Sequence, residues 1–157
     1  VLDDVASRYN ADTSRTVAAG LSNGGGMAAA LACHAPEMVD AVATVAGAFY
    51  SPTVTGCAGG QVPTLIMHGT DDAVVGYHGG VRHGATYESV DTVAQTFARK
   101  NGCSLVASES RSGNVTAFDF EGCVAPTRIE RVEGGGHTWF TDPDATRATA
   151  QFLRRFL

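Results

Sequence analysis

Gly20-Leu21-Ser22-Asn23-Gly24 is the stretch of this sequence that decides the fold. An apolar run of β type precedes it, Thr16-Val17-Ala18-Ala19, and a helix-forming run follows it at residues 27–32. A G-x-S-x-G sequence between a strand and a helix is typical of a very tight turn, in which small residues must flank the serine. The N-terminus of the helix points free N–H groups at the same place. The pattern therefore predicts that Ser22 is a nucleophile held above the edge of a sheet.

Length and composition indicate one globular domain. The chain has 157 residues, of which 44% are apolar and 17% are charged, so a single domain over residues 1–157 can bury a core. The net charge of −5 and the absence of a basic stripe argue against a nucleic-acid partner. No apolar stretch approaches the length that a membrane-spanning helix needs. Residues after Val1 show no signal-peptide pattern, so we expect a leader that was removed or lies upstream.

Predicted strands alternate with predicted helices along the chain. This alternation favours an α/β fold, with a mostly parallel sheet flanked by helices. Gly- and Pro-rich stretches at residues 46–63 and 76–84 are predicted loops. The predicted strands are Thr16–Ala19, Ala41–Val45, Thr64–Met67, Leu105–Ser108, Val115–Phe120 and Thr127–Val132, and the last helix begins with Asp142 as N-cap and Pro143 as first residue. Other predicted helices are an amphipathic one at the start of the chain, one from the serine turn to about His34, and one from Ser89 as N-cap to Asn101, with Gly102 as its stop.

Three chemically useful groups follow directly on predicted strands. Ser22, the pair Asp71-Asp72 and His137 would therefore lie at one edge of the sheet, where parallel strands end. A serine needs a base within hydrogen-bond reach, and the base needs an orienting carboxylate. The order Ser, Asp, His along the chain is the order of α/β-hydrolases, although spacing alone does not choose between Asp71 and Asp72. We expect the backbone N–H of Asn23 to bind the oxyanion, and the chemistry to need no metal or organic cofactor.

The cysteines are Cys33, Cys57, Cys103 and Cys123. An even count in a chain whose only lysine is Lys100 suits an exported protein with two disulfides. Four cysteines allow three pairings, and the sequence leaves them open. We favour the pairing of neighbours, because Cys103 and Cys123 flank two strand-like runs that could form a hairpin. The alternative is four free thiols in a cytosolic protein.

Three motifs together resemble the secreted polyhydroxybutyrate depolymerase and feruloyl esterase family. They are Gly-Leu-Ser-Asn-Gly-Gly at 20–25, His-Gly-Thr-x-Asp at 68–72 and Gly-Gly-Gly-His-Thr-Trp at 134–139. Asn101-Gly102-Cys103 and Tyr77-x-Gly79-Gly80 extend the resemblance over nearly the whole chain. The resemblance implies the α/β-hydrolase fold and a secreted or periplasmic serine esterase acting on polyesters, feruloyl esters or short-chain esters. It also implies Asp72 rather than Asp71 as the acid, a Cys103–Cys123 bridge, and Trp139 and Tyr77 as substrate-binding residues, with a core position as the alternative for Trp139.

The chain departs from this family at its front. The family's first half, about four strands and one oxyanion-hole donor, has no counterpart here, so the serine strand would be an unpaired sheet edge. We expect either a fragment of a longer esterase or a short form that covers this edge by forming a homo-oligomer. Smaller departures are Gly76 and Phe140 at positions where the family often has proline, and an extra glycine in the run 24–26. The alternative functions are a serine peptidase of the same fold and an inactive fragment that serves in binding or assembly.

The remaining histidines are less promising as catalysts. His68 begins the loop that bears Asp72, and we expect it to brace that loop. His34 lies at a predicted helix end, where a cation interacts favourably with the helix dipole. His78 and His83 lie in a glycine-rich loop without metal-ligand spacing, so no metal site is predicted.

Overall fold

A central six-stranded sheet organises the chain, of which the computed structural model describes all 157 residues. The strand order is β1-β2-β3-β8-β7-β6, and a separate two-stranded hairpin is made by β4 and β5. The strands are β1 Val17–Leu21, β2 Ala41–Val45, β3 Thr64–Gly69, β4 Gly80–Arg82, β5 Ala85–Tyr87, β6 Ala107–Ser112, β7 Val115–Phe120 and β8 Thr127–Val132. The helices are α1 Leu2–Arg8, α2 Asn23–His34, α3 Ser51–Val54, α4 Val90–Lys100 and α5 Ala145–Leu153, with short 3-10 turns at Pro36–Met38 and Arg154–Phe156.

Four strands of the sheet are parallel. β1, β2, β3 and β8 pair in parallel, while β7 and β6 extend the sheet antiparallel beyond β8. Every residue of β2 and of β3 is buried, as expected for parallel strands covered on both faces. The predicted α/β fold with a mostly parallel sheet is therefore confirmed.

Helices cover both faces of the sheet. On one face α2 and α4 pack around Val42, Ile66 and Ile129, which alternate with residues of the other face along their strands. On the opposite face α5 places Phe152 and Leu153 against the neighbouring set of strand residues. The core is thus a three-layer sandwich that positions the carboxyl ends of β1, β3 and β8 along one edge.

The boundaries of several predicted elements need correction. The last helix has Asp144 as N-cap, whose carboxylate accepts a hydrogen bond from the Arg147 N–H at 2.9 Å, and not Asp142. β6 begins at 107 rather than at 105, because its residues are almost all exposed and carry no apolar signal. The loop predicted at 46–63 contains α3, and the loop predicted at 76–84 contains β4, which pairs with β5 just after it. All three elements are too short and too polar to be recognised by periodicity. The predicted cap of α4 is confirmed, since the Ser89 hydroxyl accepts from the Thr92 N–H at 3.1 Å.

Two disulfides join neighbouring cysteines, in the pairing that the sequence analysis favoured. Cys33–Cys57 ties the end of α2 to the segment after α3. Cys103–Cys123 ties the segment after α4 to the segment after β7. No cysteine is free, so the alternative of four thiols is wrong.

β1 is an edge strand, as predicted. It pairs only with β2, and Leu21 remains 37% exposed. An apolar groove of about 430 Å³ runs beside it, and the predicted amphipathic helix α1 at its rim buries none of its residues. The groove is lined by Val1, Leu2, Thr16, Val17, Ala18, Leu31, Met38 and Val39. None of the helices has the length and apolar character that crossing a bilayer requires.

Candidate active site

Ser22 sits on a strained turn between β1 and α2. Its φ of 56° and ψ of −119° lie in a region that residues with a side chain rarely adopt. Hydrogen bonds hold this conformation: the Ser22 N–H donates to the Val45 carbonyl at 3.0 Å, and the Ser22 carbonyl accepts from the N–H groups of Gly26 and Ala48, both at 2.9 Å. The turn is therefore fixed from both β2 and α2, which matches the nucleophile turn expected from the sequence.

The two glycines of the pentapeptide have different roles. A Cβ at Gly20 would stand 2.3 Å from the Gly24 carbonyl carbon, so only glycine allows this approach of strand and helix. A Cβ at Gly24 would meet nothing within 4 Å. The expectation that both flanking glycines are sterically required is thus wrong for Gly24, because its Cα faces open space. Gly25 and Gly26 are the further tight positions, each with backbone within 3.0 Å of a built Cβ.

Asp72 follows β3 and is buried in a set of hydrogen-bond donors. Its side chain has 0% relative exposure. Its Oδ1 accepts from the backbone N–H groups of Val74 at 2.9 Å and Val75 at 2.8 Å. Its Oδ2 faces two imidazoles, those of His137 at 2.8 Å and His68 at 3.3 Å. Asp71, the alternative acid, is exposed, and its Oδ1 accepts a hydrogen bond from the neighbouring Thr70 hydroxyl at 3.2 Å.

This environment stabilises the carboxylate form of Asp72. Burial alone would raise the pKa of Asp72, since it disfavours the charged form. Hydrogen bonds from His68, the Val75 N–H, His137 and the Val74 N–H outweigh burial and lower the pKa well below its ordinary value of 3.8. Asp72 is therefore ionised at neutral pH.

His137 follows β8 on a loop that is fastened to the loop of Asp72. Its Nδ1 lies 2.8 Å from Asp72 Oδ2, and its side chain is 18% exposed. The Gly135 carbonyl accepts from the Asp71 N–H at 3.0 Å, and a Cβ at Gly69 would stand 2.0 Å from that carbonyl oxygen. Because the carboxylate orients Nδ1 as the donor, Nε2 is left to act as an acceptor toward a nucleophile.

The strand order brings Ser22, Asp72 and His137 to one edge of the sheet. β1, which precedes Ser22, is separated from β3 by β2 alone. Neighbouring strands lie about 4.8 Å apart, so β1, which leads to Ser22, lies about 10 Å from β3, which leads to Asp72. The loops after these strands bridge the remaining distance between the side chains. No hydrogen bond joins the Ser22 hydroxyl to His137, whose ring bonds to Asp72. Catalytic hydrogen bonds often close only when substrate is bound.

The backbone N–H that the sequence analysis predicted as the oxyanion donor, that of Asn23, belongs to the first residue of α2. The first N–H groups of a helix have no partner within the helix, and Asn23 itself is exposed. This end of α2 directly follows Ser22, and the dipole of a helix favours negative charge at its N-terminus.

Tyr77 lies in the core rather than at a surface that substrate can reach. It is 3% exposed, and its ring packs edge-on against His68 with centroids 6.0 Å apart. Its hydroxyl donates to Asp91 at 3.0 Å. Burial, followed by the adjacent Asp91 carboxylate, raises the pKa of Tyr77. The predicted substrate contact of Tyr77 is at odds with this placement, because the ring fills the space beneath the Asp72 loop.

Trp139 is half-buried and anchored to the last helix. Its Nε1 donates to the Thr146 hydroxyl at 2.9 Å, and its ring packs on the cluster that contains Met67, Val132 and Phe140. This placement favours the packing alternative for Trp139, which is only partly buried and stands two residues from His137.

Two parts of the site were not predicted from the sequence. The backbone donors of Val74 and Val75 carry no side-chain signal, so only the three-dimensional loop reveals them. The segment 46–48, predicted only as loop, braces Ser22 through Ala48, and the positive φ of 46° at Ala46 marks its sharp turn. The bracing role of His68 was predicted, and its contacts agree with it.

Comparison with known proteins gives consistent relatives over most of the chain, although no protein-family model matches it. Feruloyl esterase D of Neurospora crassa is 32% identical over 168 residues, which cover 99% of this chain and 53% of the relative. Feruloyl esterase C of Emericella nidulans is 33% identical over 140 residues, with 86% of this chain and 47% of the relative covered. The chain thus spans about half the length of the curated relatives it matches.

Solved structures share the fold. A Bacillus cereus carboxylesterase superposes with a TM-score of 0.64 at 16% identity, over 99% of this chain and 57% of that one. A serine hydrolase homologue from Coxiella burnetii gives a TM-score of 0.52 at 16% identity, over 99% and 55% of the two chains. The sequence relatives and the structural neighbours agree, and they identify this chain as a homologue of the feruloyl esterases with the α/β-hydrolase fold.

Proposed function

We propose that this chain carries the nucleophile, base and acid of a serine carboxylic ester hydrolase. The observation that carries the proposal is the strained Ser22 turn on the same sheet edge as a hydrogen-bonded His137–Asp72 pair. The feruloyl esterase relatives support ester hydrolysis, and they favour feruloyl esters over the polyester and short-chain candidates. No structural feature favours a peptidase.

The proposed reaction uses each side chain at a stated atom. Ser22 Oγ attacks the ester carbonyl while His137 Nε2 accepts the hydroxyl proton. Asp72 accepts a hydrogen bond from the Nδ1–H of His137 and stabilises the imidazolium that forms. The imidazolium then protonates the leaving alcohol, and an acyl-serine remains. Water, deprotonated by His137, attacks this acyl group and releases the carboxylic acid.

The Asn23 N–H stabilises the oxyanion in both steps. Removing one donor from an oxyanion hole costs on the order of 100–1,000-fold in turnover. We propose that the second donor comes from a segment that packs beside the unpaired edge of β1. The working enzyme would then be more active than this chain alone.

We further propose that residues 1–157 form one domain of a secreted or periplasmic protein. All helices that pack on the main sheet share its two faces, so no internal boundary divides the core. Structural disulfides occur mainly in proteins of oxidising compartments, so the two disulfides support export.

The test is a comparison of Ser22→Ala with the unmodified chain. The substrates are p-nitrophenyl butyrate and methyl ferulate, and a fluorophosphonate probe reports the activated serine by intact mass. The probe forms a bond between Ser22 Oγ and phosphorus as fluoride leaves, so one adduct per chain is expected. Ser22→Ala should lose the adduct and about 10⁴-fold or more of the turnover. Ser108→Ala, at an exposed serine of β6, is the matched control and should keep both. An unmodified chain that neither labels nor turns over would contradict the proposal for this chain and would favour the binding or assembly alternative.

A further inference from the structure

His68 is the one buried histidine of the chain, and the proposed reaction does not use it. It lies in β3, is 0% exposed and is surrounded by Phe49 and Tyr77. Buried polar groups cost free energy unless they are hydrogen-bonded. A leucine or methionine would fill this place without that cost, so the imidazole needs an explanation from its contacts.

The contacts of the ring form a closed cycle with the loop of Asp72. His68 Nε2 lies 2.8 Å from the Val75 carbonyl and 3.3 Å from Asp72 Oδ2. The Val75 N–H in turn donates to Asp72 Oδ1 at 2.8 Å. The three residues thus hold one another, and β3 anchors the cycle to the sheet.

The geometry fixes which ring nitrogen carries the proton. A carbonyl oxygen can only accept, so the bond to Val75 requires a proton on Nε2. The same nitrogen also lies 3.3 Å from Asp72 Oδ2, a longer contact in which the carboxylate is a second acceptor for that proton. Nδ1 is buried and has no partner, so a proton there would find no acceptor.

We propose that His68 is a positioning residue of the site: its Nε2–H holds the Asp72 carboxylate and the Val75 carbonyl together and thereby fixes Asp72 against His137. This inference rests on the proposed function, because its consequence for turnover exists only if His137 is the base. Its structural part, the clamp on Asp72, stands on contacts alone. The hydrogen bond from His68 also contributes to the low pKa of Asp72, in the company of the other donors.

Few other titratable groups face this cluster. His137 and Tyr77 are the ones in contact with Asp72 or His68. Asp91 is hydrogen-bonded to the Tyr77 hydroxyl at 3.0 Å, and Arg131 and Glu133 act on the Tyr77 phenol by charge alone. A change in the titration of Asp72 on substitution of His68 therefore reports the clamp.

The test uses two substitutions of nearly equal shape. Gln places a side-chain N–H₂ donor about where Nε2 stands, while Met fills the same volume without a donor. In carboxyl ¹³C spectra, His68→Met should raise the titration midpoint of Asp72 by about one pH unit, a tenfold rise in proton affinity. His68→Gln should restore it to within a few tenths of a unit. His83→Met, at an exposed histidine, is the matched control and should leave Asp72 unchanged. Equal Asp72 midpoints in the Met variant and the unmodified chain would overturn the proposal.

A second measurement needs no substitution. The ¹⁵N spectrum of the imidazoles should show His68 protonated at Nε2, and a proton at Nδ1 would overturn the clamp even if the Met variant failed to fold. In a chain that turns over ester, His68→Met should lower kcat about tenfold with little change in KM, and His68→Gln should rescue it. Failure of the proposed function looks different: Ser22 would not react with fluorophosphonate, while the Asp72 midpoint would still respond to His68.

Discussion

The two glycines that flank Ser22 give the sharpest prediction, because they are equivalent in the sequence motif but differ in the space around them in the structure. Gly20→Ala would place a Cβ 2.3 Å from the Gly24 carbonyl carbon and 2.4 Å from its oxygen. Ordinary van der Waals contact needs about 3.5–4 Å, so the backbone must move by more than about 1 Å. The atoms in the way belong to the first turn of α2, so no flexible side chain can absorb the overlap.

The cost of Gly20→Ala follows from what moves with α2. Overpacking of this kind costs about 1–3 kcal/mol. Displacing α2 also strains the two hydrogen bonds to the Ser22 carbonyl, each worth about 1 kcal/mol. The expected loss is about 2–5 kcal/mol of the free energy of unfolding. Gly24→Ala meets no atom within 4 Å, and in a helix Ala gains up to about 0.5–1 kcal/mol over Gly.

Urea unfolding followed by the fluorescence of Trp139, the single tryptophan, measures both variants. With an m-value of about 2 kcal/mol/M, Gly20→Ala should lower the midpoint by about 1–2.5 M, and Gly24→Ala should leave it equal or slightly higher. Fluorophosphonate labelling should fail in Gly20→Ala and persist in Gly24→Ala. Equal midpoints for the two variants would refute the reasoning, because the difference rests on the steric asymmetry of the turn.

Two further outcomes are expected. Asp72→Asn should destabilise the chain at neutral pH, because the folded state stabilises the carboxylate of Asp72 and so lowers its pKa. The contribution of that carboxylate to the free energy of unfolding is fully present above the ordinary pKa of 3.8, and it is lost as the pH falls below that value. The gap in urea midpoint between Asp72→Asn and the unmodified chain should therefore shrink from pH 6 to pH 2.5, and a constant gap would contradict the assignment. The exposed edge of β1 should let copies of the chain associate through strand pairing, as light scattering after size-exclusion chromatography would show. Ala19→Lys, at an exposed position of that edge, should shift the species to monomer, and an unmodified chain that is already monomeric would count against association.

How much the sequence predicts depends on whether a side chain carries the signal. Ser22 and His137 stand beside glycine runs that directly follow strands, so the sequence predicted both their chemical roles and their position at the ends of strands. The parallel strands β2 and β3 were equally legible because their apolar runs are continuous. The choice of Asp72 over Asp71 needed the family resemblance, and the structure supplies its physical reason: only Asp72 turns into the core, where backbone N–H groups receive it.

The features that the sequence did not predict depend on the path of the backbone and on tertiary contacts. The hairpin of β4 and β5 has three-residue strands, too short for any periodicity to register. Tyr77 looked like a substrate contact from its motif, but its burial depends on α4, which supplies Asp91 from a distant part of the sequence. In the pentapeptide, the pattern shows two glycines, and only the path of α2 shows which one the fold requires.

The contacts divide the candidate site into a part that is held on all sides by this chain and a part that is not. Asp72 and His137 are fixed entirely by groups of this chain: β3, the Val74 and Val75 amides, His68 and the Gly135 loop. Ser22 is braced by β2 and α2, while the free edge of β1 and the open space at Gly24 leave its other side without support. The proposed acid–base pair should therefore keep its geometry in this chain, and we expect any shortfall in turnover to come from the unsupported side of Ser22. That shortfall would lower kcat at every pH by one factor, whereas a defect in the acid–base pair would change the shape of the pH profile.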